Sequence, residues 1–132
     1  MTADEPHLSF LLENDKLDPS ELRSVLAAAR VLVVEVHGRP VGWLRWGLFW
    51  DTVPFMNLIH VLPQHRGQGY ARLMIEGWED RCRARGSKLV MTSTLSDETA
   101  QHLYRRLGYR DCGCLLTPGE ALEIFMMKRL SG

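Results

Sequence analysis

The apolar residues of this chain fall into β-branched runs and into stretches with helical spacing. Val31 to Val36 is one such run, and His37-Gly38-Arg39-Pro40 separates it from a second run, Val41 to Trp50. Two strand-like runs joined by a short turn that contains glycine predict a β-hairpin. Pro54 to Leu62 is a third apolar run, which predicts a further strand in the centre of a sheet.

The N-terminal region is predicted to contain one strand and one helix. Leu8 to Glu13 alternates weakly and predicts the strand. Asp18 and Pro19 predict the start of the helix, because Asp is a favoured N-cap and Pro fits the first helical position. The apolar residues that follow fall on one helix face: Leu22, Val25, Leu26 and Ala29.

Two further helices are predicted, and each is followed by a glycine that can end it, Gly86 and Gly108. The apolar face of the first helix consists of Tyr70, Met74 and Trp78. Its polar side chains are expected to face water: Arg72, Glu76, Glu79, Asp80 and Arg83. The second helix has Ser96 as its predicted N-cap. Its apolar face consists of Ala100, Leu103, Tyr104 and Leu107.

The remaining apolar runs predict three more strands. Lys88 to Ser93 is a single strand, whereas Tyr109 to Leu116 and Ala121 to Lys128 form a hairpin around Pro118-Gly119. The predicted order is therefore β-α-β-β-β-α-β-α-β-β, which mixes hairpins with crossovers. We expect an α/β fold with a mixed, mostly antiparallel sheet and helices on both of its faces.

Composition narrows the class of protein. The chain has 132 residues, 45% of them apolar, which predicts one globular domain over residues 1–132. Lys and Arg together number 16, as do Asp and Glu, and this balance argues against a nucleic-acid partner. We expect a cytoplasmic protein that does not bind membranes, because no apolar run suits a membrane helix and the N-terminus lacks a signal pattern. No metal is expected, since Cys82, Cys112 and Cys114 fit neither a disulfide framework nor zinc-ligand spacing.

The segment between the predicted central strand and the next helix carries the clearest chemical signal. Gln64, Gly67 and Gly69 lie there, directly before the helix. Glycines let the backbone turn sharply and approach a ligand, and the helix start offers N–H groups to an anion such as phosphate. The spacing fits neither a P-loop nor a dinucleotide-binding fingerprint. A plain connection between strand and helix is the alternative explanation.

Two motifs in this chain resemble those of one family. Gln64-x-x-Gly67-x-Gly69 is similar to the acyl-CoA pyrophosphate loop of the GNAT superfamily of N-acyltransferases, whose pattern is Gln/Arg-x-x-Gly-x-Gly/Ala. Asp97 to Tyr109 resembles the superfamily's Asn-x-x-Ala-x-x-Leu-Tyr-x-x-x-Gly-Phe. The order of the predicted elements is also similar, so the resemblance covers roughly residues 31 to 128. It implies a GNAT fold with acetyl-CoA as cosubstrate and an amine as acceptor.

The resemblance also implies roles for individual residues. Backbone N–H groups of the loop would bind the pyrophosphate: Arg66, Gly67, Gln68, Gly69, Tyr70 and Ala71. Ile59 and Val61 would offer N–H groups near the thioester carbonyl, and Asp97 stands where the family has a helix-start Asn near the cofactor. Tyr104 would be the general acid that protonates the departing thiolate.

The general base is not settled by the sequence. Many GNAT members carry a Glu or Asp in the central strand, but this chain has no carboxylate from Phe55 to His60. His60 has a suitable intrinsic pKa, whereas Asn57 could order a water chain that accepts the proton. Glu35 and Glu123, which are carboxylates on other predicted strands, are further alternatives, as is a substrate with a low pKa.

The sequence does not define the acceptor pocket either. One N-terminal helix, where the family usually has two, would leave the acceptor site open or completed by a second subunit, which makes a homodimer an alternative. Four aromatic residues cluster on the predicted strand Val41 to Trp50: Trp43, Trp46, Phe49 and Trp50. Core packing is favoured for at least two of them. The alternative is a pocket wall that holds an amine by cation–π contact.

Together these features predict an N-acetyltransferase that moves an acetyl group from acetyl-CoA to a primary amine of a small molecule or protein. Direct transfer is expected, because no cysteine has the setting of a nucleophile. A catalytically inactive GNAT-fold sensor or scaffold that binds acyl-CoA is an alternative. An α/β protein of another family that binds nucleotide phosphates is a third.

Overall fold

A computed structural model describes residues 1–131. The helices are α1 (Leu8–Asn14), α2 (Pro19–Ala27), α3 (Tyr70–Ala84) and α4 (Ala100–Arg106). The strands are β1 (Val31–Val36), β2 (Arg39–Phe49), β3 (Val53–Val61), β4 (Leu89–Leu95), β5 (Arg110–Leu115) and β6 (Glu123–Arg129). Short 3₁₀ turns lie at Glu5–His7 and Pro63–His65. No helix within residues 1–131 has the length and apolar content to cross a membrane.

The strands form one six-stranded sheet in the order β1-β2-β3-β4-β6-β5. The pairs β1–β2, β4–β6 and β5–β6 are antiparallel. The pair β3–β4 is parallel, with Phe55 opposite Met91 and Met56 opposite Thr92. The predicted mixed, mostly antiparallel sheet is thus confirmed, and each predicted strand from Val31 onward corresponds to an observed one.

Two compact units divide the described chain. The first consists of Met1–Gly47 with Leu58–Trp78, and the second consists of Leu48–Asn57 with the chain from Glu79 onward. The core of the first unit contains Ala3, Leu11, Leu22, Val31, Val33 and Trp43. Buried apolar residues of the second unit include Val90, Met91, Tyr104, Tyr109 and Met126. The single domain over residues 1–132 remains a prediction.

The predicted strand over Leu8 to Glu13 is wrong, because this segment is helix α1. Its alternation is too weak to outweigh the burial of Leu11, which is 0% exposed, and the edge-to-face contact of Phe10 with Trp43 at 5.5 Å between ring centroids. With α1 and α2 both present, the prediction of a single N-terminal helix is also wrong. The argument for a second subunit, which depended on that single helix, therefore loses its basis.

Helix α3 matches its prediction in part. Met74 and Trp78 are buried as expected, but Glu79, which was expected to face water, is 2% exposed. Its carboxylate accepts hydrogen bonds from the hydroxyl of Tyr109 at 2.8 Å and from Nζ of Lys128 at 2.9 Å. A buried charge is tolerated when it is paired and hydrogen-bonded, and both partners lie far along the sequence.

The start of α4 differs from its prediction. Ser96 does not cap the helix, which begins at Ala100 with Thr99 at the N-cap position and no side-chain cap bond. Glu98 instead accepts a hydrogen bond from the N–H of Leu95 at 3.0 Å, so its side chain holds a bend before the helix. This local side-chain bond competes with helix initiation and moves the helix start toward the C-terminus.

Candidate functional site

The glycine loop of the first unit has the backbone geometry that the sequence predicts. Gly67 and Gly69 have φ angles of +76° and +85°, in the left-handed region that favours glycine. Helix α3 then begins at Tyr70, and the N–H of Leu73 donates to the carbonyl of Gly69 at 3.0 Å. N–H groups of the first helical turn have no partner within a helix, and the N-terminal end of the dipole attracts anions. The loop therefore offers donors to a negatively charged group.

Space beside the loop is open. A Cβ atom placed on Gly67 or Gly69 would meet no heavy atom within 4 Å. Both glycines are solvent-exposed, as are Arg66 and Gln68, whereas Tyr70 and Ala71 are half-buried. The glycines are consequently required by the backbone angle rather than by crowding, and a diphosphate could approach their amides closely. This open surface fits the pyrophosphate group that the sequence resemblance implies.

Arg66 directs its side chain away from the glycines toward the end of β3. Its Nε donates to the carbonyl of Val61 at 2.9 Å, and its Nη2 lies 3.4 Å from Nε2 of His60. The backbone N–H of Arg66 donates to the carbonyl of Pro63 at 3.3 Å. This N–H, predicted to bind pyrophosphate, is therefore engaged within the 3₁₀ turn.

His60 is half-buried on β3, with its ring centroid 5.0 Å from that of Trp43. Burial lowers the pKa of His60, the positive charge of Arg66 lowers it further, and the charge of Asp15 acts in the opposite direction. The imidazole is therefore neutral near pH 7 and has the protonation state that a base needs.

A buried carboxylate, which the sequence reasoning did not single out, supports the ring next to His60. Asp15 accepts hydrogen bonds from Nε1 of Trp43 at 2.9 Å and from Nε of Arg45 at 2.8 Å. Burial tends to raise the pKa of Asp15, but hydrogen bonds from Arg45, Leu17 and Trp43 outweigh it and hold this pKa below the ordinary value. Nothing in the local sequence distinguishes Asp15 from a surface acid.

The other predicted residues of the first unit lie in its core or in separate pairs. Ile59 is half-buried and Val61 is buried. Trp43 and Trp46 are 2% and 4% exposed, which confirms core packing for two of the four aromatic residues. Glu35 is paired with His7, whose Nε2 lies 3.0 Å from its carboxylate.

Tyr104 lies on α4 in the second unit and is 4% exposed. Burial raises the pKa of Tyr104 to about 12, and the negative charges of Glu98 and Glu123 act in the same direction, while a hydrogen bond with Thr92 opposes them. The hydroxyl of Thr92 in turn donates to the carbonyl of Met56 at 3.0 Å. The phenol therefore keeps its proton at neutral pH, as a general acid requires.

The remaining predicted residues of the second unit differ in exposure. Asn57 and Asp97 are exposed, and Glu123 is half-buried on β6 opposite Leu95 of β4. Trp50 is 81% exposed, and its neighbour Phe49 belongs to an aromatic cluster with Phe55 and Phe125. Within the described chain, no group of three or more His, Cys, Asp or Glu side chains is arranged to hold a metal ion.

Comparison with solved structures finds the same fold. The ribosomal-protein-alanine N-acetyltransferase of Brucella melitensis is 24% identical, with 98% of each chain covered and a TM-score of 0.82. The ribosomal-protein-S18-alanine N-acetyltransferase of Escherichia coli is 18% identical, covering 100% of this chain and 94% of that one, with a TM-score of 0.82. A chain of the NatC complex bound to Gag peptide and CoA is 15% identical, covering 96% of this chain and 90% of that one, with a TM-score of 0.77.

Sequence comparison identifies the family. No curated protein matches the chain. A family model described as the acetyltransferase (GNAT) family matches residues 3–109, which is most of the chain. This match agrees with the two sequence motifs, with the geometry of the glycine loop and with the fold of the solved acetyltransferases. The chain belongs to the GNAT family of acetyltransferases.

Proposed function

We propose that this protein transfers an acetyl group from acetyl-CoA directly to a primary amine of a small molecule or protein. The observation that carries the proposal is the loop before α3, where Gly67 and Gly69 turn the backbone and the first helical turn offers N–H groups. The two ribosomal-protein-alanine N-acetyltransferases that share the fold support a protein amine as one class of acceptor.

Each protein group would have one task in this reaction. The loop amides would bind the diphosphate of the cosubstrate, because fixed N–H groups stabilise phosphate oxygens. As the amine nitrogen forms its bond to the acetyl carbon and the carbon–sulfur bond breaks, Tyr104 would give its phenolic proton to the leaving thiolate. His60 would accept the proton that the amine loses. Both side chains are in the required protonation states near pH 7.

A catalytically inactive protein that binds acyl-CoA is the second candidate function. It is favoured by the lack of a carboxylate among the residues of β3 and by the 4% exposure of Tyr104. Such a protein would use the same loop amides, so cofactor binding alone does not separate the two candidates.

The loop assignment is tested by a pair of glycine substitutions. Gly67→Val should reduce acetyl-CoA binding at least tenfold, because a β-branched residue resists the positive φ and its methyl groups fill the open space beside the amides. Gly38→Val is the matched control: Gly38 has a φ of +75° and no atom within 4 Å of a built Cβ, but it lies in the β1–β2 turn. Both variants should lose similar stability in urea unfolding. Calorimetric titration giving equal acetyl-CoA affinity for both would refute the assignment.

The choice between enzyme and binding protein is tested by thiol release. Acetyl-CoA is incubated with a panel of polyamines, aminoglycosides, amino acids and peptides, and free thiol is measured. An enzyme should release thiol with at least one class, and Tyr104→Phe should lower kcat by about 10²-fold with little change in acetyl-CoA affinity. Tyr109→Phe is the control, since its hydroxyl bonds to buried Glu79 and its loss should affect stability instead. Binding without turnover over the whole panel would favour the inactive protein.

A further inference from the structure

Arg66 connects two parts of the first unit that the proposed function uses separately. The residue precedes the diphosphate loop at Gly67, but its guanidinium contacts His60 and the carbonyl of Val61. The contact to Val61 satisfies Nε, which leaves Nη2 directed at the imidazole. Because a guanidinium only donates, Nε2 of His60 must be the acceptor, and the ring proton is assigned to Nδ1.

Among the groups around His60, Arg66 is the charged side chain best placed to influence the protonation of the ring. Trp43 on β2 contacts the ring with an interplanar angle of 43°, and Asp15, from the connection after α1, is ion-paired with Arg45 at 2.8 Å. Arg66 is thus the cation in direct contact with the imidazole. A cation there opposes protonation of His60 and covers the nitrogen lone pair with which the ring would accept a proton.

We propose that Arg66 is a positioning residue that covers Nε2 of His60, and that a diphosphate bound at Gly67–Ala71 draws Arg66 away from this nitrogen. The inference rests on the proposed function, because it assumes that the loop binds the cosubstrate diphosphate. A diphosphate carries negative charge beside the residue that precedes Gly67, and a guanidinium forms paired, charge-assisted bonds to phosphate oxygens. Its movement toward the phosphate would leave His60 able to accept a proton only when the cosubstrate is bound.

The test measures the protonation of His60 by NMR, without turnover. Long-range ¹H–¹⁵N correlation spectra of the free protein should show Nδ1 protonated. Titration should give a pKa below 6.5 in the wild type and a higher pKa in Arg66→Met, which lacks the charge. Arg23→Met removes an exposed charge from α2 in the same unit and should leave the pKa of His60 unchanged. An unchanged pKa in Arg66→Met would overturn the proposal.

The effect of ligand binding on the pKa of His60 is then measured with inorganic pyrophosphate and with CoA. Either ligand should raise the pKa of His60 in the wild type by several tenths of a unit more than in Arg66→Met, where only the direct charge of the ligand acts. Equal rises in the two proteins would overturn the release of His60. If neither ligand binds in calorimetry, the loop assignment and this coupling both fail. The comparison of the wild type with Arg66→Met in the absence of ligand still tests the contact between Arg66 and His60.

A second substitution at the same position, Arg66→Lys, is used in case Arg66→Met does not fold. Arg66→Lys keeps the positive charge but cannot make both contacts of the guanidinium, since an ammonium lacks the planar fork. Its thermal unfolding and the pKa of its His60 should both resemble those of the wild type, because the positive charge remains. An Nε2 signal in Arg66→Met that is identical to that of the wild type would show that Arg66 does not cover this nitrogen, because Met has no donor, and this would contradict the proposal.

Discussion

Burial shifts His60 and Tyr104 in opposite directions because it favours the neutral form of each side chain. The pKa of His60 is lowered from 6.5, so the ring is free of a proton at neutral pH. The pKa of Tyr104 is raised to about 12, so the phenol keeps its proton there. Each side chain is therefore in the protonation state that its proposed role requires at neutral pH.

The pH dependence of turnover follows from these two directions. In kcat/KM, which reports the free enzyme, activity should fall on the acid side with a midpoint below 6.5, because a protonated His60 cannot accept a proton. It should not fall on the alkaline side up to about pH 10, because Tyr104 remains protonated there. The profile is measured for the wild type and for His60→Gln, which should lose the acid limb. An acid limb that persists unchanged in His60→Gln would show that another group is the base.

The role of a residue could be predicted from the sequence only where the residue belongs to a recognisable motif. Gly67, Gly69 and Tyr104 stand in short patterns whose chemistry follows from local geometry or from family likeness. Asp15 and Glu79 look like ordinary surface acids, yet both are buried with partners about 30 or more positions away along the chain. Long-range pairing of this kind leaves no local pattern, so only the folded structure could reveal it.

At the level of elements, Gly42 shows how closely two strands of the first unit approach. A Cβ atom on Gly42 of β2 would lie 2.9 Å from the carbonyl oxygen of His60 on β3, and 3.1 Å from the end of the Met74 side chain. A backbone atom cannot move aside as a side chain can. Glycine is therefore needed at this position for packing, and the sequence gives no sign of it within the run Val41 to Trp50.

Gly42→Ala is expected to lower the free energy of unfolding by about 1–3 kcal/mol, since the added methyl group forces the strands apart. Gly77→Ala is the matched control: Gly77 lies inside α3, where a Cβ would meet no atom within 4 Å. Alanine is the better helix former, so this second change should stabilise the protein by about 0.5–1 kcal/mol. Urea unfolding measures both. Equal effects of the same sign would contradict the close contact at Gly42.

The strands from Val31 onward and helix α2 were easier to predict than helix α1, for a physical reason. A β-branched run such as Val31–Val36 has a strong intrinsic preference and forms the strand it predicts. Leu8–Asn14 is short and carries apolar residues at spacings compatible with either structure. Its conformation is decided by packing of Leu11 and Phe10 into the core of the first unit, which local periodicity does not encode.

At the scale of the whole molecule, each compact unit contains a buried carboxylate that joins segments distant in sequence. Asp15 in the first unit connects the end of α1 to β2 through Trp43 and Arg45. Glu79 in the second unit connects α3 to Lys128 on β6 and to Tyr109 before β5. Removing one member of such a pair leaves an unpaired buried group. This lowers the free energy of unfolding by more than an exposed ion pair adds to it.

Asp15 also predicts how the stability of the fold depends on pH. Its pKa in the folded protein lies below the ordinary value of 3.8, because hydrogen bonds from Arg45, Leu17 and Trp43 outweigh burial. The stability gained from the ionised carboxylate is therefore present above pH 3.8 and is lost as the pH falls through the lower, folded-state value. Acid should weaken the fold in this window.

Asp15→Asn should lower the free energy of unfolding at neutral pH by about 3 kcal/mol, because Arg45 loses its counter-charge in a buried site. The difference from the wild type should shrink as the pH falls below the folded-state pKa of Asp15, where the wild-type carboxyl is neutral as well. Asp18→Asn is the control: Asp18 is an exposed N-cap, and Asn caps a helix equally well, so stability should change little. Urea unfolding at neutral and acid pH measures all three proteins. If the difference in the free energy of unfolding between Asp15→Asn and the wild type stays constant with pH, Asp15 contributes through packing and hydrogen bonds rather than through its charge.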